Sequence, residues 1–163
     1  GTVKCGPWNT EKSLLMGDAA HAVVPFYGQG MNCSMEDVLK LDLCLDEVSE
    51  NWPKAFDLYY AGRKKDADAI ADLAVENYYE MRDHVDNPDF IAKRAIEMKL
   101  EKKFPEYASK YNLVTFCEDV PYSVAKEKGH AQDDWLLAYV RSNNTSDLTP
   151  QQLEWIYNEL IKK

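Results

Sequence analysis

Residues 17–37 read GDAAHAVVPFYGQGMNCSMED, and this string holds residue types that could bind and tune a ligand. Asp18 offers a carboxylate able to accept hydrogen bonds from sugar-like hydroxyls. Gly28 and Gly30 permit positive φ and a close approach of backbone to a ligand, and Pro25 stiffens the way in. A helix starting near Met31 or Asn32 would aim its free N–H groups and positive dipole end into that loop. Such a place suits an anion or an electron-rich ring edge. A Gly-x-Gly turn alone says no more than that a helix follows.

Other residues admit two readings. Asn77 lies on an apolar stripe with Ile70, Ala74 and Met81. A buried amide without partners costs about 1–3 kcal/mol, so Asn77 is either satisfied in a core or faces a polar ligand. Tyr111 alone is an ordinary half-buried aromatic. His21 reads first as a histidine satisfied by backbone groups. Asp66, Asp68 and Asp72 have helical spacing with Lys64 and Lys65 beside them, which reads as a solvated face and not a metal site. His21, His84 and His130 are far apart, and Cys5, Cys33, Cys44 and Cys117 show no CxxC pair. No metal centre or disulfide framework is expected, and the thiols suggest a reducing, cytoplasmic setting.

The elements that must position these residues are mostly helical. Thr2-Val3-Lys4-Cys5 and the apolar run Ser13-Leu14-Leu15-Met16 read as one or two short strands, the second buried and delivering Asp18 at its end. Such an opening would carry an unpaired edge. Met35, Val38, Leu39, Leu41, Leu45 and Val48 recur at helical spacing, with Glu36, Asp37, Lys40, Asp46 and Glu47 on the other faces. A long helix is expected from Pro53 to Val85, carrying Phe56, Tyr60, Arg63, Ala67, Ile70, Ala74, Asn77 and Met81 on one stripe. A shorter one follows over Asp89–Lys103, then one near Tyr122–Arg141, weakened by Gly129. Thr149-Pro150-Gln151-Gln152 opens the last, with Thr149 as N-cap and Gln152 completing a capping box.

The 163 residues carry 19 Lys plus Arg against 28 Asp plus Glu, a formal charge of −9. That balance disfavours a nucleic-acid partner, whose phosphates would be repelled. No apolar run approaches the ~20 residues of a membrane span.

Taken whole, the string GD, AAH, P, GQGMN, ED resembles the second flavin-binding motif of the class A FAD-dependent aromatic hydroxylases. A narrower resemblance, to members acting on an aromatic amino acid, rests on PFYGQGMN followed by SMED, ENYYEMRDHV (76–85), KYNLVTF (110–116) and the opening VKCGPW. It extends to about Gln132. Tyr27 stands where members often have Phe or His, and Cys33-Ser34-Met35 also departs from the usual residues. The resemblance implies FAD as cofactor, with Asp18 at the ribityl and pyrophosphate region. Pro25, Gly28 and Gly30 would form the flavin loop, and Met31 and Asn32 would supply backbone N–H groups. It implies NADPH as co-substrate and O2 as oxidant, with Phe26, Gln29, Asn77 and Tyr111 facing a small aromatic amino acid. It gives His21 no role in proton transfer.

The implied fold is mostly α with a short N-terminal β segment, a C-terminal fragment of an α/β (Rossmann-type FAD/NAD(P)-binding) flavin hydroxylase. No GxGxxG occurs. The resemblance therefore implies an N-terminal FAD-binding half as partner and an isolated chain that is inactive. Residues 1–52 would be the end of the FAD-binding domain, 53–132 a helical substrate-side region and 133–163 a helical tail. The tail does not look like the membrane-anchoring segment of animal members. The rival readings are a related hydroxylase of another aromatic acid or phenol, or a non-catalytic helical module binding a partner around Tyr59, Tyr60 and Tyr78.

Overall fold

The computed structural model describes residues 1–83 and 86–162. His84 and Val85, which end the ENYYEMRDHV string and the expected long helix, lie outside them, as does Lys163 of the tail. The chain divides into two compact units, Gly1–Tyr78 and Tyr79–Lys163.

In the first unit α1 (Asp18–His21) and α2 (Gly30–Glu47) precede α3 (Trp52–Asp83), within which the division falls. Asn51 accepts the Lys54 N–H (3.3 Å), and Pro53 sits in the first turn of α3, where its missing donor costs nothing. Trp8 is the centre of this unit. It is 2% exposed, packs with Tyr59, Ala20 and Ala67, and its indole N–H donates to the Cys5 carbonyl (2.9 Å).

The sequence reading of a short N-terminal β segment and an α/β, Rossmann-type architecture is overturned. The described residues form seven helices and no strand, with a single isolated antiparallel bridge between Asn9 and Leu14. The reason is local. The Thr10 N–H reaches the Ser13 carbonyl (2.9 Å) and the Leu15 N–H reaches that of Trp8 (2.8 Å), so the chain turns back at once and pairing ends. Leu15 is 43% exposed, so the run is not the buried strand its composition suggested.

A second correction concerns α2. Its apolar residues Met31, Met35, Val38, Leu39 and Leu43 are all more than half exposed. The buried positions are Cys33 and Asp37, one helical turn apart. Part of the apolar pattern faces water, and a carboxylate read as solvent-facing is inside.

The second unit holds α4 (Pro88–Lys103), α5 (Lys110–Thr115), α6 (Tyr122–Ser142) and α7 (Pro150–Leu160). Asn87 caps α4 by accepting the Asp89 N–H (2.9 Å). The capping box of Thr149 and Gln152 is formed at α7 as its sequence predicts. Ile96, Leu100, Tyr107, Leu136, Leu153, Ile156 and Leu160 make one core, so the tail supplies part of the packing of this unit. A buried ion network lies here too. Asp133 bridges Lys93 (2.5 Å) and Lys110 (2.7 Å), and Lys110 also pairs with Glu80. α6 runs unbroken through Gly129. A Cβ there would lie 2.5 Å from Lys110 Cγ and 2.8 Å from its Cβ, so glycine makes room for the lysine. No described helix is long and apolar enough to cross a membrane.

Candidate functional site

The 17–37 string folds into one continuous feature. Gly17, at φ 57°, turns the chain into α1, whose first residue, Asp18, is exposed. After α1 the chain makes a turn over Pro25–Gly28, closed by the Gly28 N–H on the Pro25 carbonyl (3.2 Å). Gly28 takes φ 69°, and nothing lies within 4 Å of where a Cβ would be, so the turn presents bare backbone to open space. Gly30 has no positive φ, contrary to expectation. It is the first residue of α2, where any residue could adopt the backbone.

The amino terminus of α2 has no side-chain cap and no acidic residue in its first turn. Met31 and Asn32 are exposed there, and the first amide bonded within the helix is that of Cys33, to the Gln29 carbonyl (2.8 Å). An eighteen-residue helix with free leading amides and no neutralising acid favours negative charge at that end. The turn, the free amides and the exposed Asp18 carboxylate fit a flavin: a flat ring against bare backbone, electron density at a helix terminus, hydroxyls on a carboxylate.

Of the expected substrate residues, Phe26, Gln29 and Asn77 belong to the first unit and Tyr111 to the second. Phe26 is half-buried with its ring 4.7 Å from that of Tyr78, and its carbonyl accepts a hydrogen bond from the Asn77 amide (2.7 Å). Asn77 on α3 therefore braces the turn itself. Gln29 is 6% exposed, and its side-chain oxygen accepts from Asn32 Nδ2 (2.9 Å). Tyr111 belongs to α5 in the second unit, exposed and edge-on to Phe116 at 6.3 Å.

Below the turn lies a buried cluster that sequence reasoning missed. Asp37 is fully buried. Its Oδ2 accepts from the Gly17 N–H (2.8 Å) and meets His21 Nε2 (2.6 Å), while Oδ1 accepts from Arg63 Nε (2.8 Å). Arg63 also donates to the Cys33 carbonyl (2.8 Å) and sulfur (3.1 Å), and pairs with Glu36 (2.8 Å). His21 is thus satisfied by a carboxylate and not by backbone groups. Burial by itself would lower its pKa, but the hydrogen-bonding partners Asp37 and Cys33 raise it from 6.5 to about 10. Burial likewise opposes the Asp37 charge, and the bonds from His21, Arg63 and the Gly17 amide override it, holding the carboxyl below its ordinary range. The buried Tyr59 hydroxyl lies beside the Asp37 carboxylate. Burial and the charge of Asp37 raise its pKa.

Donor atoms of His21, Cys33 and Asp37 lie within 4.8 Å of one another, a spacing a metal ion could use. The Arg63 guanidinium bonds to two of the three, so this cluster already holds its cation. The signal in the sequence was Arg63 itself, a cation on an apolar stripe, which required a buried anion nearby.

An FAD binding domain family matches residues 2–74. The chain is 42% identical to the kynurenine 3-monooxygenase of Dictyostelium discoideum across 99% of its own length and 38% of the relative's. It is 48% identical to that of Myxococcus xanthus over 81% of the chain and 28% of the relative. To that of Xanthomonas oryzae pv. oryzae it is 40% identical over 99% and 34%. The chain thus spans about a third of the length of these relatives.

Proposed function

We propose that this chain, an FAD-dependent aromatic hydroxylase relative by its FAD binding domain and its likeness to kynurenine 3-monooxygenases, is the flavin-loop and substrate-side portion of an enzyme that hydroxylates L-kynurenine to 3-hydroxykynurenine. An FAD-binding half outside these residues would complete the cofactor site, and NADPH and O2 would be the co-substrates. Bound FAD would supply the redox chemistry that puts one oxygen atom on the ring. The observation that carries the reading is the uncapped, acid-free start of α2 behind the bare turn at Gly28.

From this chain, Asp18 would hold the ribityl hydroxyls. The leading amides of α2 would favour negative charge on the pyrimidine edge of the ring, a contribution set in place before reaction. Pro25 and Gly28 would keep the ring against the backbone, while Asn77 fixes the turn by its Phe26 bond. Phe26 and Gln29 line the same turn, and Tyr111 would hold the amino-acid end of the substrate. Residues 1–52 would then be the cofactor side, 53–132 the substrate side and 133–163 the packed tail.

The test is a complete enzyme carrying these residues, purified and assayed with NADPH, O2 and kynurenine. A yellow protein with one FAD per chain, forming 3-hydroxykynurenine, is expected. Flavin-free protein, or oxidation of NADPH with no hydroxylated kynurenine, overturns the reading.

A further inference from the structure

We infer that Asp37 is a positioning residue for the flavin, fixing the place of the Asp18 carboxylate and the start of α2 through the Gly17 amide, the His21 ring and Arg63. The inference rests on the reading of residues 17–32 as the flavin loop.

Three separate stretches of chain meet at this one carboxylate. Oδ2 holds the Gly17 N–H at 2.8 Å, immediately ahead of Asp18, and His21 Nε2 at 2.6 Å, at the far end of α1. The short helix that begins with Asp18 is therefore pinned at both ends by a single oxygen. Oδ1 holds Arg63, whose second arm reaches back to the Cys33 carbonyl at 2.8 Å, in the opening turns of α2. Asp37 so ties the Asp18 turn to the same helix whose free amides face the loop. The Trp8 ring, 5.3 Å from that of His21, packs on the cluster, and Cys33 is 1% exposed, so the bonds work away from water.

Stability alone does not explain this arrangement. A buried ion group is often no better for stability than apolar packing of equal volume. What it supplies is direction: Gly17 sits at φ 57°, where its N–H has no regular helix or strand acceptor, and the carboxylate gives that amide one defined partner. Asp37 is fully buried, so it acts on a ligand only through Asp18 and the start of α2.

A thermodynamic cycle on FAD affinity tests this in the complete enzyme, with dissociation constants from fluorescence quenching as FAD is returned to the apoprotein. Asp18→Ala, Asp37→Asn and the double variant are compared with the parent. Asp37→Asn is expected to weaken FAD about tenfold, about 1.4 kcal/mol. In the Asp18→Ala background the same change is expected to cost less than about twofold, because its main route of action is gone. Two effects that simply multiply, or an Asp37→Asn variant that binds FAD like the parent, overturn the inference. An Asp18→Ala variant that binds FAD normally overturns the reading of the loop instead. If Asp37→Asn does not fold, Arg63→Lys replaces it in the cycle. Lysine keeps the charge and loses the two-armed grip, and the same non-multiplying pattern is expected, with multiplication again decisive against.

Discussion

Two buried ion networks, one in each unit, look alike on a residue count and differ in what they hold. In the first, Asp37 and Arg63 spend bonds on backbone atoms, the Gly17 amide and the Cys33 carbonyl. In the second, Lys93, Lys110, Asp133 and Glu80 bond to one another's side chains, tying helices together. The first also fills both Asp37 oxygens at 2.6–2.8 Å. The second is looser at its edge: Glu97 has contacts of 3.3 Å and 3.5 Å to Arg94 and Lys93, and burial raises its pKa. A network built to place a loop must end on backbone, whereas one that sets helix packing need not.

The largest expected effect comes from removing the two central carboxylates. Asp37→Ala takes from the buried Arg63 its buried carboxylate, leaving the Cys33 bonds and the more exposed Glu36 as its remaining partners, and should cost about 3–5 kcal/mol. Asp133→Ala should cost less, about 2 kcal/mol, because Lys110 keeps Glu80 and Lys93 keeps Glu97. Chemical denaturation followed by circular dichroism compares them, and equal losses would break the contrast. Gly129→Ala comes next. Its methyl must displace Lys110, and the overpacking should cost about 2 kcal/mol despite the better helix propensity of alanine. The loss should fall on the second unit and leave FAD affinity in a complete enzyme unchanged.

The alkaline limb sharpens the comparison further. His21 has its pKa raised from 6.5 to about 10 in the folded chain. Its contribution is therefore whole below pH 6.5 and fades as pH rises toward 10. The lowered Asp37 pKa acts at the other end, its contribution being lost only in acid. A His21→Gln variant should lose the decline between pH 6.5 and 10, and an unchanged decline would place its origin elsewhere. The smallest effect is that of Asn77→Ala. It removes the brace on the Phe26 carbonyl, costing about 1 kcal/mol of stability. In a complete enzyme the KM for kynurenine should rise while flavin stays bound. Unchanged KM would remove Asn77 from the site.

The legible parts of the sequence were those governed by local rules. Thr149, Pro150 and Gln152 announced the start of α7, and Asn87-Pro88 that of α4, because a cap needs only its next few neighbours. The turn at Pro25–Gly28 and the start of α2 were legible because their glycines sit together within a few residues. The expected strand at Ser13–Met16 failed because an apolar run states a preference, and a strand exists only where a neighbour pairs with it. The Asp37 network was half legible. Arg63 on an apolar stripe demanded an anion, but helical periodicity placed Asp37 on the wet face with Glu36. Its burial depends on Gly17, twenty residues earlier, and on Arg63, twenty-six later. For the same reason Met35, Val38 and Leu39 read as core and lie outside it.

That outward row on α2, from Met31 to Leu43, has a practical consequence. Handled by itself in aqueous buffer, a greasy ridge of this kind is sticky. The purified 163-residue polypeptide should light up hydrophobic dyes, clump at high concentration or on salting, and stay dispersed in mild detergent. Charged replacements at Met35 and Leu39 should cure the clumping without melting the helix.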